Sequence, residues 1–222
     1  MKCFVCHGDN GEGGAVWAGS IQGFSDISPA VKDGVGTMDS IAMSDAEIVK
    51  VQAFLDNNAP ANPDGKVIYA QECAGCHGKD GKGLRRRGFQ LRYKDDGYST
   101  FQTRTGRSLY AFSDSPNGMP AFTDAQVSDT HLNEMWDWLN SLPNESTDEG
   151  LYLQFCGNCH GVDGRAIEVE RNIDGATDFN GDVRNGHNAG QYDARTRFMS
   201  KWDASQISDQ ELSQITSHVS QL

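Results

Sequence analysis

Cys73-Ala74-Gly75-Cys76-His77 is the stretch of sequence on which the predicted fold depends. Two thiols three residues apart can form thioether bonds with the two vinyl groups of one haem, and the histidine that follows can bind the iron. The pattern therefore predicts covalent attachment of a c-type haem. It occurs three times and uses all six cysteines of the chain: Cys3, Cys6 and His7; Cys73, Cys76 and His77; Cys156, Cys159 and His160.

Other uses of the cysteines explain the spacing less well. Three disulfides would leave the histidine after every second cysteine unexplained. Structural zinc sites place two C-x-x-C pairs about 15–20 residues apart, whereas these motifs begin at positions 3, 73 and 156. A thioredoxin-like site requires a βαβ context, and no strand pattern flanks any motif. Haem attachment accounts for all three copies.

The composition of the 222-residue chain agrees with bound haem. Apolar residues make up 37% of it and 25 residues are glycine, so the core would be thin unless a large apolar group filled it. Three covalently attached haems would fill it. The net charge of −12 argues against nucleic acid and anionic membranes as partners. No apolar run of about 18 residues is present, so no transmembrane segment is predicted in this chain.

The expected location follows from the predicted cofactor. Haem is normally attached to such motifs outside the cytoplasm, so we expect an exported, periplasmic or extracellular protein with redox proteins as partners. Only Met1 and Lys2 precede Cys3, which leaves no room for an export signal. We therefore expect the numbering to begin after a leader segment.

A helix near the end of each repeat supports a threefold repetition of the chain. Ser44 with Glu47 and Ser208 with Glu211 have the spacing of capping boxes, and Ser128 begins the middle helix. Apolar residues at four, seven and eleven positions after each serine form one face of an α-helix. They are Ile48, Val51 and Leu55; Leu132, Met135 and Leu139; Leu212, Ile215 and Val219. We call these the closing helices.

A second helix is predicted before two of the three motifs. It begins at Gly65 and at Gly150, and it carries Tyr69 or Tyr152 four residues before the first cysteine, where the ring can pack on the closing helix. We call these the opening helices. The first motif has no room for one. Polar, proline-containing linkers at 57–64 and 142–148 then divide the chain into domains 1–60, 61–143 and 144–222.

Each of these three stretches resembles a class I c-type cytochrome. The resemblance rests on the glycine and tyrosine before the motif, the motif itself, the capped closing helix and a methionine between them. It implies an all-α fold of three tandem domains, each wrapped around one covalent haem c, with the first lacking its N-terminal helix. It also implies methionine as the second iron ligand: Met38, Met119 and Met199. Met43 competes with Met38, although its place directly before Ser44 favours a helix-anchoring role.

Histidine could replace methionine as the second ligand. His187 lies twelve residues before Met199 and is the one serious competitor. His131 falls at a surface position of its helix. His218 occupies the same helix position as Phe54 and Trp138, where packing is expected. We therefore expect methionine at all three irons.

A basic stretch stands out in this acidic chain: Arg85, Arg86, Arg87, Arg92, Arg104 and Arg107. It is interpreted either as a solvated loop or as a site that pairs with haem propionates or an acidic redox partner. Four aromatic residues are expected to pack around haem: Phe89, Tyr93, Trp136 and Trp138.

The favoured hypothesis is a triheme electron-transfer protein that turns over no substrate, because histidine and methionine together leave no open position on the iron. One alternative is a peroxidase-like enzyme with one five-coordinate haem, for which domain 1 is the strongest candidate. A second alternative is the haem subunit of a larger oxidoreductase or the repeating unit of a conductive filament, assembled through domain 1.

Overall fold

The structure is a computed structural model that describes residues 3–13, 20–22, 26–34, 38–59, 61, 63–83, 90–92, 95–106, 119–166, 171–188, 190–192 and 197–222. These residues form helices and contain no β-strand, which confirms the predicted all-α class for this part of the chain. The helices are α1 (Phe4–His7), α2 (Ser28–Asp33), α3 (Asp45–Asn58), α4 (Gly65–Ile68), α5 (Ala74–His77), α6 (Asp96–Thr105), α7 (Asp129–Ser141), α8 (Asp148–Phe155), α9 (Gly157–His160), α10 (Asn180–Asn185) and α11 (Asp209–Val219).

The three closing helices are α3, α7 and α11, and their starts agree with the predictions. Both capping boxes are formed, and Ser128 accepts a hydrogen bond from the amide of His131. Each cap pairs a backbone N–H that would otherwise have no partner at a helix start. Of the nine predicted core positions, Val51 is half-buried and the other eight are buried.

The opening helices pack against the closing helices, α4 on α7 and α8 on α11. The Tyr69 ring lies 5.0 Å from that of Trp138, and the Tyr152 ring lies 5.2 Å from that of His218. Each tyrosine hydroxyl also donates a 2.6 Å hydrogen bond to the carbonyl of Gly78 or Gly161, directly after the motif. The packing on the closing helices agrees with the prediction, and the hydrogen bonds, which the sequence did not predict, also tie each tyrosine to its motif.

Replacing Tyr152 by phenylalanine is expected to lower the free energy of unfolding by about 1–3 kcal/mol, because the buried carbonyl of Gly161 loses its donor. The ring would remain, so packing should be preserved. The midpoint of urea denaturation of the full chain would measure the effect. A change below about 0.5 kcal/mol, the usual size for surface substitutions, would contradict the assigned role of this hydrogen bond.

One opening helix is not a regular α-helix. A π-helical turn, Tyr69–Cys73, lies between α4 and α5, and the amide of Ala74 donates to the carbonyl of Tyr69. In the equivalent region of the third motif the chain instead breaks at Cys156, between α8 and α9. The sequence predicted an opening helix before each of these motifs but no π-helical turn, because apolar periodicity does not register a single inserted residue.

Three short helices that the sequence did not predict, α2, α6 and α10, precede the candidate methionines. They end at Gly34, Gly106 and Gly186, whose φ angles are 77°, 70° and 63°. A Cβ at these glycines would lie 2.7 Å from the carbonyl oxygen of Met38 and 2.8 Å from those of Met119 and Met199. Glycine is required at such close approaches. The three methionines therefore occupy the same position relative to the helix-ending glycine of their segment.

An ion pair joins each short helix to the closing helix that follows it. The nitrogen–oxygen distances are 2.6, 2.6 and 2.7 Å for Lys32–Asp45, Arg104–Asp129 and Arg184–Asp209. Each cation comes from the last turn of its short helix, and each carboxylate comes from the first residue of the closing helix. The same local arrangement thus occurs three times along the chain.

The buried apolar residues form three clusters, one in each of the stretches 1–60, 61–143 and 144–222, which we call the first, second and third segments. Tyr98 of the second segment belongs to the cluster of the third, and Leu91 packs against both. In the first segment, Val49 and Phe54 on α3 are 66% and 47% exposed. Residues 1–2, which precede the first motif, lie outside the described residues. None of the described helices is long and apolar enough to cross a membrane.

Candidate haem-binding site

A cavity of about 270 Å³, which we call the third cavity, brings the residues of the third motif together with the candidate methionine Met199. The fit of a haem to this cavity is judged from the residues that line it. Apolar and aromatic side chains form much of the wall, as a porphyrin requires. The cavity is lined by Tyr98, Phe155, Cys156, Asn158, Cys159, His160, Arg171, Ile173, Phe179, Asp182, Val183, His187, Arg197, Phe198, Met199, Ser200 and Trp202.

The orientation of His160 suits an iron ligand. Its Nδ1 lies 3.2 Å from the carbonyl oxygen of Arg171. Since a carbonyl can only accept, Nδ1 carries the hydrogen and Nε2 is left with its lone pair. Burial lowers the pKa of His160, which favours the neutral imidazole that binds metals. The backbone at Arg171 therefore holds the ring ready for coordination through Nε2.

Cys73 and Cys156 lie in surroundings that suit a neutral sulfur. All six are free of disulfides. Burial raises the pKa of Cys73 and of Cys156 to about 12. A zinc site needs thiolates, which such surroundings oppose, whereas a thioether to haem is uncharged. In the described ranges, no three His, Cys, Asp or Glu side chains form a group that could hold a metal ion by themselves.

Both candidates for the second ligand of the third iron line the same cavity. His187 and Met199 are joined by a pair of backbone hydrogen bonds of 3.0 and 2.9 Å. The His187 side chain is 52% exposed, and its Nε2 lies 2.9 Å from Oδ1 of Asp182. Met199 is half-buried. The imidazole of His187 thus contacts the carboxylate of Asp182 near the surface, whereas the thioether of Met199 has no such contact with the described residues. This difference favours Met199 as the ligand.

In the second segment, His77 is 9% exposed and Met119 is half-buried. Gln102 gives an independent indication of a bound group, because it is 5% exposed and neither amide atom has a hydrogen-bond partner among the residues described. It precedes Gly106 by four residues, as Asp182 of the third cavity precedes Gly186. A group with polar atoms, such as haem, would satisfy this amide.

In the first segment, the motif residues and the candidate methionine are all only partly buried. Cys3, Cys6 and His7 are half-buried, as is Met38, whose carbonyl lies against Gly34. Met43 packs against the apolar cluster of the first segment, in agreement with its expected anchoring role.

Two of the arginines in the basic stretch bind carboxylates of this chain. Arg92 is 2% exposed, forms an ion pair with Glu145 and donates to the carbonyl of Pro143 over 2.8 Å. Arg104 lies 2.6 Å from Asp129. These contacts account for Arg92 and Arg104 without a propionate or a docked partner. Arg85, Arg86, Arg87 and Arg107 lie outside the described residues, as do Phe89 and Tyr93.

The remaining histidines and tryptophans have contacts within the protein. His131 contributes its amide to the cap of α7, and His218 packs against Tyr152, as predicted. Trp136 donates from Nε1 to the hydroxyl of Thr100 over 3.0 Å, and Trp138 packs against Tyr69. The expectation that both tryptophans pack around haem stays a prediction.

Sequence reasoning missed several residues of the third cavity. Arg171, Asp182 and Tyr98 all line it, yet none belongs to a motif. Arg171 contributes a backbone carbonyl, for which no side-chain pattern exists. Tyr98 comes from another segment of the chain. The place of Asp182, one turn before a helix-ending glycine, could have been found only if α10 had been predicted.

Comparison with known families finds a similarity between the second segment and c-type cytochromes. Residues 60–139 match the family model described as cytochrome c oxidase, cbb3-type, subunit III. The matched range contains the second motif, Met119 and most of α7, and it implies covalently bound haem c and haem-based electron transfer. No curated protein and no solved structure was found to match the chain.

Proposed function

We propose that the chain is a triheme electron carrier made of three tandem cytochrome c domains, residues 1–60, 61–143 and 144–222. In each domain the two motif cysteines tether one haem and the motif histidine binds its iron. Met38, Met119 and Met199 are the second ligands. When bound, haem would supply reversible one-electron exchange at iron, and with a histidine and a methionine as ligands it would keep no coordination position for a substrate.

The observation that carries this proposal is the third cavity, which Cys156, Cys159, His160 and Met199 line together. These four residues lie outside the matched range 60–139 and so support a second haem site independently of the family match. The recurring contact between a helix-ending glycine and a methionine carbonyl extends the argument to Met38 in the first segment.

Within each site the polypeptide holds the ligands and limits access of water. In the third domain the backbone carbonyl of Arg171 orients the ring of His160. Aromatic residues such as Phe198 and Trp202, 5% and 6% exposed, cover the cavity next to Met199. An iron in apolar surroundings with a methionine ligand has a raised potential. We propose that the protein exchanges electrons with redox partner proteins outside the cytoplasm.

The number of covalent haems tests the proposal directly. Intact-protein mass spectrometry of the purified chain, together with the pyridine haemochrome spectrum, is expected to give three haems per polypeptide. Tryptic peptides should locate one haem on each motif. Two haems or fewer would show that at least one motif is not an attachment site and would contradict the triheme assignment.

The family match favours a second candidate, a haem subunit of a larger oxidoreductase, since the matched family is described as an oxidase subunit. In that case another subunit is expected to cover the exposed Val49 and Phe54 on α3. Native mass spectrometry and cross-linking of protein purified from its source would test this. Stoichiometric further subunits cross-linked to α3 would support it, and a monodisperse single chain would contradict it.

A further inference from the structure

The third cavity is not formed by the third segment alone. Tyr98, on α6 of the second segment, lines it and is 4% exposed. Its ring stacks on Phe198, with the ring centroids 5.0 Å apart and the planes at 29°. Phe198 directly precedes Met199. The ring of Tyr98 thus lies against the turn that carries the candidate iron ligand.

A hydrogen bond between segments holds the other side of the same turn. Ser200 follows Met199, is 6% exposed and donates its hydroxyl hydrogen to Oδ2 of Asp95. Oδ1 of Asp95 accepts from the amide of Tyr98 over 2.9 Å, which caps α6. One carboxylate therefore fixes both Tyr98 and the Met199 turn. Hydrogen bonds to a charged acceptor are among the stronger ones in proteins.

The motif side of the cavity is also bound to the second segment. Asn158, between Cys156 and Cys159, donates from Nδ2 to the carbonyl of Gln90 over 2.9 Å, and Asn158 is 7% exposed. The equivalent positions in the other motifs are Val5 and Gly75, which have no side-chain donor. This bond is therefore particular to the third motif.

We infer that the third haem site is a composite of two segments, in which Asp95 and Tyr98 of the second segment are positioning residues for the Met199 turn. The inference rests on the proposed function insofar as it takes Met199 as an iron ligand. Its consequence is that the ligation and midpoint potential of the third haem depend on the second segment.

The test uses the full haem-loaded chain with Asp95→Ala, Ser200→Ala and the control Asp64→Ala. Asp64 is also an aspartate N-cap, accepting from the amide of Val67 over 2.9 Å, but it caps α4 within the second segment. Hydrogen exchange by mass spectrometry would follow the amides of residues 197–202, where Met199 donates to His187 and Trp202 donates to Val183. NMR of the axial methionines and a potentiometric titration complete the measurement.

Asp95→Ala and Ser200→Ala are expected to speed exchange at 197–202 about tenfold, the size that loss of a hydrogen bond to a charged group implies. The NMR signal of Met199 and the potential of the third haem should shift, while the other two haems remain unchanged. Asp64→Ala should change none of these. Exchange and third-haem potential that match the Asp64→Ala control would overturn the inference. Failure of the proposed ligand is detected separately, because the unsubstituted protein would then show no iron-bound Met199 signal.

Discussion

The full chain with Cys73→Ala and Cys76→Ala is expected to carry two covalent haems instead of three. Both thioether bonds of the second site would be lost, and ligation by His77 and Met119 alone would leave its haem free to dissociate. The mass of the intact protein should fall by one haem. The haem absorbance per polypeptide should fall by about one third, because one of the three attachment motifs is removed.

Gly75→Ala is the matched control for this experiment, because it alters the same motif and an added Cβ at Gly75 would meet no atom within 4 Å. That variant is expected to keep three haems. A double-alanine protein that still retains three haems after denaturation in acid would contradict covalent attachment at Cys73 and Cys76. If the control also lost haem, the loss could not be assigned to the thiols.

Replacing Met199 by histidine is expected to lower the midpoint potential of one haem by on the order of 0.2 V, within the range of ~0.8 V that axial ligands span. Histidine and methionine ligation gives a higher potential than two histidines, because the thioether favours ferrous iron. A potentiometric titration of the full chain would measure the shift. The absorption band of methionine-bound ferric haem should lose about one third of its intensity, because one of the three methionine ligands is replaced.

His187→Asn is the control for Met199→His, since it removes the competing imidazole and keeps a polar side chain within the same backbone pairing. It is expected to leave all three potentials nearly unchanged. The assignment of Met199 would be contradicted if His187→Asn changed one potential strongly and Met199→His changed none. His187 would then be the second ligand, despite its contact with Asp182.

The features that sequence reasoning predicted correctly are those set by neighbours along the chain. The caps at Ser44, Ser128 and Ser208 depend on residues within one helical turn, so they can be recognised from spacing alone. The packing of Tyr69 and Tyr152 on the closing helices was predicted because the same tyrosine recurs before two motifs. A repeated chain also lets each copy support the interpretation of the others.

The features that were missed either leave no periodic signal in the sequence or join residues of different structural elements. The π-helical turn Tyr69–Cys73 is one inserted residue that leaves no periodic signal. The contacts of Met38, Met119 and Met199 with helix-ending glycines join loops to helices that have no apolar pattern of their own. Arg92 was interpreted from its neighbouring arginines, yet it is buried against Glu145 across the boundary between two segments.

By itself the sequence determined where the closing helices begin and which residues are the candidates to tether haem, because both depend on local spacing. Only the tertiary structure decided what surrounds each site. Tyr98 and Asp95 reach the Met199 turn from a different segment, and Asn158 binds the backbone of Gln90. Such contacts depend on how two segments pack, and the spacing within either segment does not contain that information.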